Sequence, residues 1–387
     1  MKKWIIIIIL LALFVAYFFG PSAPSNEKVE SLADGEPEIS GAIENTSKNK
    51  NKEPVEDKVN LAEVALTMDK PRDFEQECLV KMTAIAISQA DVFDNLDSYS
   101  ESLRDTGDIQ AQLSYALMHI NYPAVYGTET TIVEREDILN ELYQLWRADQ
   151  NDKAAYAYLF QQCMVEQAEY CSDTFLSQYS TVDAENAYYD HLLFNQAIAK
   201  QDGITAQYYL AQASNKARYD LYFYKHARII NQTLNSRLNL NKGLAFAPAI
   251  NATTKNLPAY NPLIDYCIKN ESLSPVDLEH CGQLGQLMAE KSHELLSQSI
   301  GYELEESYYK KTGKTGLEKV AIQRRSSKAV NHLFSTVPVF TMAVVDEDIA
   351  DLWFQTGAEE GETAAMIKIA VKVTELADNP DYRPCGS

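Results

Sequence analysis

Three textures of hydrophobic and polar residues succeed one another along the chain. After Lys2 and Lys3, sixteen residues from Trp4 to Phe19 are apolar without interruption, and Gly20-Pro21 ends the run. Residues 21–60 contain no aromatic side chain and are rich in Ser, Asn, Glu, Lys and Pro. From residue 61 onward apolar positions recur every three or four residues, the period of a helix with one buried face. Phe223, Ala227, Ile230, Leu234 and Leu238 stand at such spacings, and Leu284, Leu287, Met288, Leu295 and Leu296 read as a second helical face. Ser274-Pro275-Val276-Asp277 places an N-cap serine, a first-turn proline and an early acid where a helix start wants them. With only twelve Gly and nine Pro in residues 61–387, the expected fold class is all-α.

The apolar run spans roughly 24 Å as a helix at about 1.5 Å per residue. That is short for a membrane span of about 17–25 residues and long for a signal-peptide core of about 7–15. The reading is a retained signal anchor or a cleaved signal peptide over 1–20. Either way the chain beyond residue 20 leaves the cytosol, because the two lysines stay inside. Residues 21–60 cannot bury enough apolar surface to offset their ordering entropy and are expected to form a disordered linker, with a root-mean-square reach of roughly 35 Å. Two helical-repeat regions, 61–242 and 263–387, are expected on either side of a connection over 243–262, which holds three prolines.

Charge narrows the partners. The chain carries −21, and two lysines in the leader with five Lys against nine acids in 21–60 leave −19 for residues 61–387. Nucleic acid is excluded as a partner, since phosphate binding needs concentrated Lys and Arg.

The stretch 353–370 (WFQTGAEEGETAAMIKIA) has an aromatic pair, a small pair, an acidic-Gly turn and then alanines on the next helix. Through Trp353, Phe354, Gly357, Ala358, Gly361, Ala364, Ala365 and Ile369 it resembles the Sel-one-like branch of the tetratricopeptide superfamily. Fainter copies lie at 106–117, 148–160 and 199–213. The resemblance implies an array of antiparallel helical hairpins, α-solenoid-like, and a scaffolding role in envelope assemblies.

Six cysteines in an exported chain favour pairing. Cys163 and Cys171 would stand about 12 Å apart on one continuous helix, beyond the ~7 Å bridging limit, so their bridge requires a chain reversal at Val165–Tyr170. Cys267 and Cys281 flank the reversal at Asn270–Ser274. Cys78 with Cys385 would tie the beginning of the body to its end, which an extended solenoid forbids and a curled one allows.

Catalytic chemistry is thin. The six histidines are scattered and no His-Glu-x-x-His occurs; Ser292-His293-Glu294 has no partner histidine four residues on. Lys311-Thr312-Gly313-Lys314-Thr315 ends like a phosphate loop, but Tyr308 stands where its first glycine would be. Glu305-Glu306 and Glu359-Glu360 read as ordinary acidic helix surface. No catalytic, cofactor or metal residue is assigned. A possible partner surface comprises the crowded tyrosines, Tyr208, Tyr209, Tyr222 and Tyr224, and the basic run 310–328, with Lys310, Lys311, Lys314, Arg324 and Arg325. Such tyrosines also serve as groove-filling core. The expected function is a membrane-tethered, exported helical-repeat scaffold or adaptor for protein partners in the cell envelope, with an anionic polymer as a further ligand. Its place is the inner membrane in a single pass with the body in the periplasm, or the periplasm itself if the leader is cleaved. The alternative is an α-helical cell-envelope hydrolase or lytic enzyme.

Overall fold

The computed structural model describes residues 74–94, 96, 101–121, 132–165, 168–325 and 339–385; the leader and the linker lie outside them. These residues belong to one compact unit, Asp69–Ser387. Every regular element among them is helical. Two isolated β-bridges, Asn186 with Arg218 and Tyr219 with Ser292, join irregular segments. Among the described residues no helix is long and apolar enough to cross a membrane.

The helices run α1 (Phe74–Ser88), α2 (Ala90–Asp94), α3 (Ile109–Asn121), α4 (Ile132–Ala148), α5 (Lys153–Val165), α6 (Asp173–Ser177), α7 (Tyr179–Val182), α8 (Ala187–Ala199), α9 (Gly203–Ser214), α10 (Phe223–Leu238), α11 (Phe246–Thr254), α12 (Asn261–Ile264), α13 (Pro275–Lys291), α14 (Leu295–Lys311), α15 (Thr315–Arg325), α16 (Val339–Val345), α17 (Glu347–Glu360) and α18 (Glu362–Asp378). A π-helical turn, Asp265–Lys269, continues α12. Ser274 caps α13 as its sequence suggests, its side chain accepting from Asp277 N. The stretch 243–262 is itself structured, since α11 lies within it and buries Ala249 and Ala252.

One helical face read from the sequence is in fact two. α13 ends at Lys291 and α14 begins at Leu295. Leu284 and Met288 are buried on the first helix, whereas Leu296 on the second is exposed. The apolar period stays nearly in phase across the break, so periodicity alone could not place it. Extended backbone at Ser292 (ψ 144°) makes the turn.

Consecutive helices pack as pairs, most closely α13 with α14, then α8 with α9 and α17 with α18. The α13–α14 approach depends on missing side chains. A Cβ on Gly301 would sit 2.4 Å from Ala289 N, and one on Gly285 would sit 2.7 Å from Leu304 Cβ. At the α17–α18 turn Gly361 has φ +94°, a conformation that favours glycine.

The three disulfides are Cys78–Cys385, Cys163–Cys171 and Cys267–Cys281, with Cα–Cα separations of 5.0, 5.4 and 5.6 Å. α5 ends at Val165 and the chain has turned back by Cys171, as that bridge requires. α1 packs on α16, so segments that an open row of hairpins would hold apart meet here. An aromatic core joins α4, α5, α6 and α8: Trp146, Tyr156, Phe160, Phe175 and Tyr189 are all buried, with neighbouring ring centroids 5.0–6.0 Å apart.

Candidate functional site

The segment 215–222, between α9 and α10, carries a dense polar network. Arg218 donates to the carboxylates of Asp183 and Asp220 and to Tyr222 Oη. Asp183 also accepts from Tyr222 Oη and Asn186 Nδ2, each at 2.9 Å. Asn186 in turn brackets Asp220, accepting from its N–H at 3.0 Å and donating to its carbonyl at 2.9 Å. Burial pushes the Asp183 carboxyl up, but Asn186, the Arg218 guanidinium and Tyr222 outweigh it and hold it below its ordinary value. Tyr222 sits at φ +58° as the N-cap of α10. A side chain held there against its backbone preference by three charged neighbours marks this as an over-determined spot.

Beside this network lies a cleft of about 200 Å³ lined by Arg218, Asp220, Tyr222, Tyr224, Lys225 and His293. Close by is Glu294, buried at 3 % exposure. Its Oε2 accepts from Ser292 Oγ at 3.0 Å, while its Oε1 is buried without a partner. Burial, with the negative charge of Asp220, pushes its carboxyl up to about 8, so it is mostly protonated near neutral pH. Glu362 accepts from Leu295 N at 2.9 Å and donates its own N–H to His293 O at 2.7 Å; burial raises its carboxyl too. His191, bonded to Tyr219 Oη at 2.6 Å, is pushed down to about 4 by burial and is neutral. A larger cleft of about 390 Å³ lies alongside the contact of α10 with α17, with Arg228, Asn231, Asn235, Lys242, Asp351 and Gln355 on its walls. The chemistry the clefts offer is hydrogen bonding and a few cations, while the neutral carboxyl of Glu294, next to His293 in the chain, lines neither. Among the described residues no three His, Cys, Asp or Glu side chains gather as a metal site would require.

The residues singled out from the sequence fall in three separate places. Tyr208 is 57 % exposed on α9, its ring 5.2 Å from that of half-buried Tyr209. Tyr222 and Tyr224 are buried, at 5 % and 4 % exposure, so they belong to the interior wall of the smaller cleft rather than to an open tyrosine face. Lys310, Lys311 and Lys314 gather at the α14–α15 turn, with Arg324 and Arg325 at the far end of α15; those two arginine side chains lie outside the described residues. Lys311 Nζ donates to the carbonyls of Cys267 and Asn270 at 3.1 and 2.9 Å, and desolvation lowers its ammonium. Lys314 Nζ lies 3.1 Å from Tyr308 Oη.

Glu305 corrects the reading of the carboxylate pairs as surface, since it is 3 % exposed and accepts from Tyr309 Oη at 2.9 Å. Asp183, Arg218, Asp220 and Glu362 were missed, and Glu294 entered only as part of the incomplete metal motif Ser292-His293-Glu294. Its position just before a new helix gave no signal, because the apolar period runs across the break. No family model, curated protein or solved structure matches the chain.

Proposed function

We propose that the chain is an exported, membrane-tethered helical-repeat scaffold that holds protein partners in the cell envelope. The observation that carries this reading is the pairing of all six cysteines within an all-helical body. Such bridges persist in oxidising compartments and are rare where thiol reductants dominate. The leader supplies the route out. Retained, it makes the chain a single-pass inner-membrane protein with its body in the periplasm; cleaved, it frees the body there. The pairs α8–α9, α13–α14 and α17–α18 support an array of hairpins of the tetratricopeptide kind, Sel-one-like at 353–370 and curled until its ends touch. Ile204 and Tyr208, four residues apart on one face of α9 and 83 % and 57 % exposed, offer a partner contact away from the core. Crosslinking in the native envelope and then pull-down tests the reading. One stoichiometric protein partner supports it, and release of a small product from envelope polymers by the pure chain overturns it.

A second reading, an α-helical envelope hydrolase, is favoured by Glu294. A carboxyl kept neutral close to ionisable Asp220 is the pairing from which acid–base catalysis is built. Loss of product release in Glu294→Gln, with the fold intact, separates this reading from the first.

A further inference from the structure

The basic run around the α14–α15 turn stands out in a body of charge −19. Residues 310–325 hold six basic side chains and one acid, Glu318. Local folding explains part of this. Lys310 and Lys311 sit in the last turn of α14, where cations complement the helix dipole, and Lys311 is tied to two carbonyls. Lys314 bonds Tyr308 Oη and lies over its ring, yet it stays exposed and precedes α15 at the end where a cation is unfavourable. Exposed Lys319 in mid-helix has no such local contact among the described residues to account for it. α15 has α14 as its principal neighbour, and it shows water Leu317, Val320 and Ile322, exposed by 48 %, 43 % and 42 %. Within α15, positions 317, 320 and 324 stand at helical spacings of three and four, so one face carries two apolar residues and then a position that is basic in sequence, with Lys314 just before the helix. Apolar residues flanked by lysine and arginine are the arrangement of a helix lying in the headgroup layer of a membrane.

We propose that α15 with the preceding turn is a docking surface for an anionic phospholipid bilayer, through Lys310, Lys314 and Lys319 and the exposed Leu317 and Val320. The inference rests on the tethered reading above and adds an orientation to it. The acidic remainder of the body is repelled by the same lipid, but that repulsion is screened beyond about 8 Å at physiological salt. The body then settles basic face down, with its acidic faces turned to the periplasm.

The test uses the full chain with its disulfides intact, mixed with vesicles of phosphatidylcholine alone or of phosphatidylcholine with phosphatidylglycerol. Flotation and amide hydrogen exchange over 315–325 are read together. Docking predicts slower exchange in α15 on the anionic vesicles only, reversed by high salt. It also predicts loss of the slowing in Lys310→Glu/Lys314→Glu/Lys319→Glu, at about fivefold weaker attachment per unit of charge changed, two units per substitution; an unchanged circular dichroism spectrum shows that the variant is folded. Flotation with both lipids but equal exchange overturns docking and leaves the tether standing. Flotation with the anionic vesicles alone supports docking and counts against the leader as an anchor. No flotation with either overturns both. Equal slowing by soluble polyglutamate overturns the lipid as occupant in favour of an acidic polymer.

Discussion

Cys78 and Cys385 are separated by 307 positions in sequence, yet their Cα atoms stand 5.0 Å apart across a disulfide. Lys81 Nζ reaches the carbonyl of Pro384 next to it, and α1 packs on α16 nearby. The joint is therefore both covalent and packed. Chain entropy makes a bridge across so long a loop more stabilising than the eight-residue one at Cys163–Cys171. Replacing Cys78 and Cys385 by serine is expected to lower stability by about 2–4 kcal/mol. It should lower the guanidinium midpoint more than the Cys163→Ser/Cys171→Ser pair does.

Gly301 and Gly203 separate close packing from open surface. Gly301→Ala places a methyl 2.4 Å from Ala289 N, and overpacking of this kind costs about 1–3 kcal/mol. Gly203 has nothing within 4 Å of the added Cβ and opens α9. Gly203→Ala should leave stability unchanged or raise it by about 0.4–1 kcal/mol, by narrowing the unfolded ensemble. Thermal melts of the two variants check the contrast.

Glu294 makes stability fall as pH rises through the neutral range. Its folded carboxyl, at about 8 against an ordinary 4.5, binds its proton more tightly than the unfolded chain does. Its contribution is thus complete below about pH 4.5 and lost as pH rises toward 8, at up to about 1.4 kcal/mol per pH unit. Asp183 acts in the opposite direction: its carboxyl is lowered from 3.8, so its contribution is present above that value and lost on further acidification. Glu294→Gln removes the first effect alone. Urea midpoints at about pH 5 and about pH 9 should differ less in this variant than in the parent.

Arg218 neutralises a carboxylate that is almost fully buried. Arg218→Ala leaves Asp183, with a side chain 2 % exposed, without its main counter-charge. The expected loss is about 3 kcal/mol, the lower end for an orphaned buried ion because the arginine is itself about a third exposed. Asp183→Asn in the same background should recover part of it, and a double-mutant cycle on urea midpoints measures how much.

What the sequence revealed of this fold was local. The spacing of Ala227, Ile230 and Leu234 survives as the buried face of α10, Ser274 caps α13, and the eight-residue spacing of Cys163 and Cys171 forced the reversal after α5. Contacts between distant segments were not legible. Glu294 owes its environment to Asp220 and Glu362, which lie more than sixty residues away on either side, and no periodicity records such a meeting. Tyr222 and Tyr224 have the composition of a binding face, but the burial of Tyr224 depends on Gly357, whose missing Cβ makes room for its ring.

The sulfur link near the start of the body also bears on tension. A pull between the N-terminal side of Cys78 and the C-terminal side of Cys385 passes through one covalent bond. Residues 79–384 form a closed loop behind that bond and carry none of the load. A body strained between those two ends keeps its helices at rest until the bridge is reduced, at which point the force reaches the fold itself.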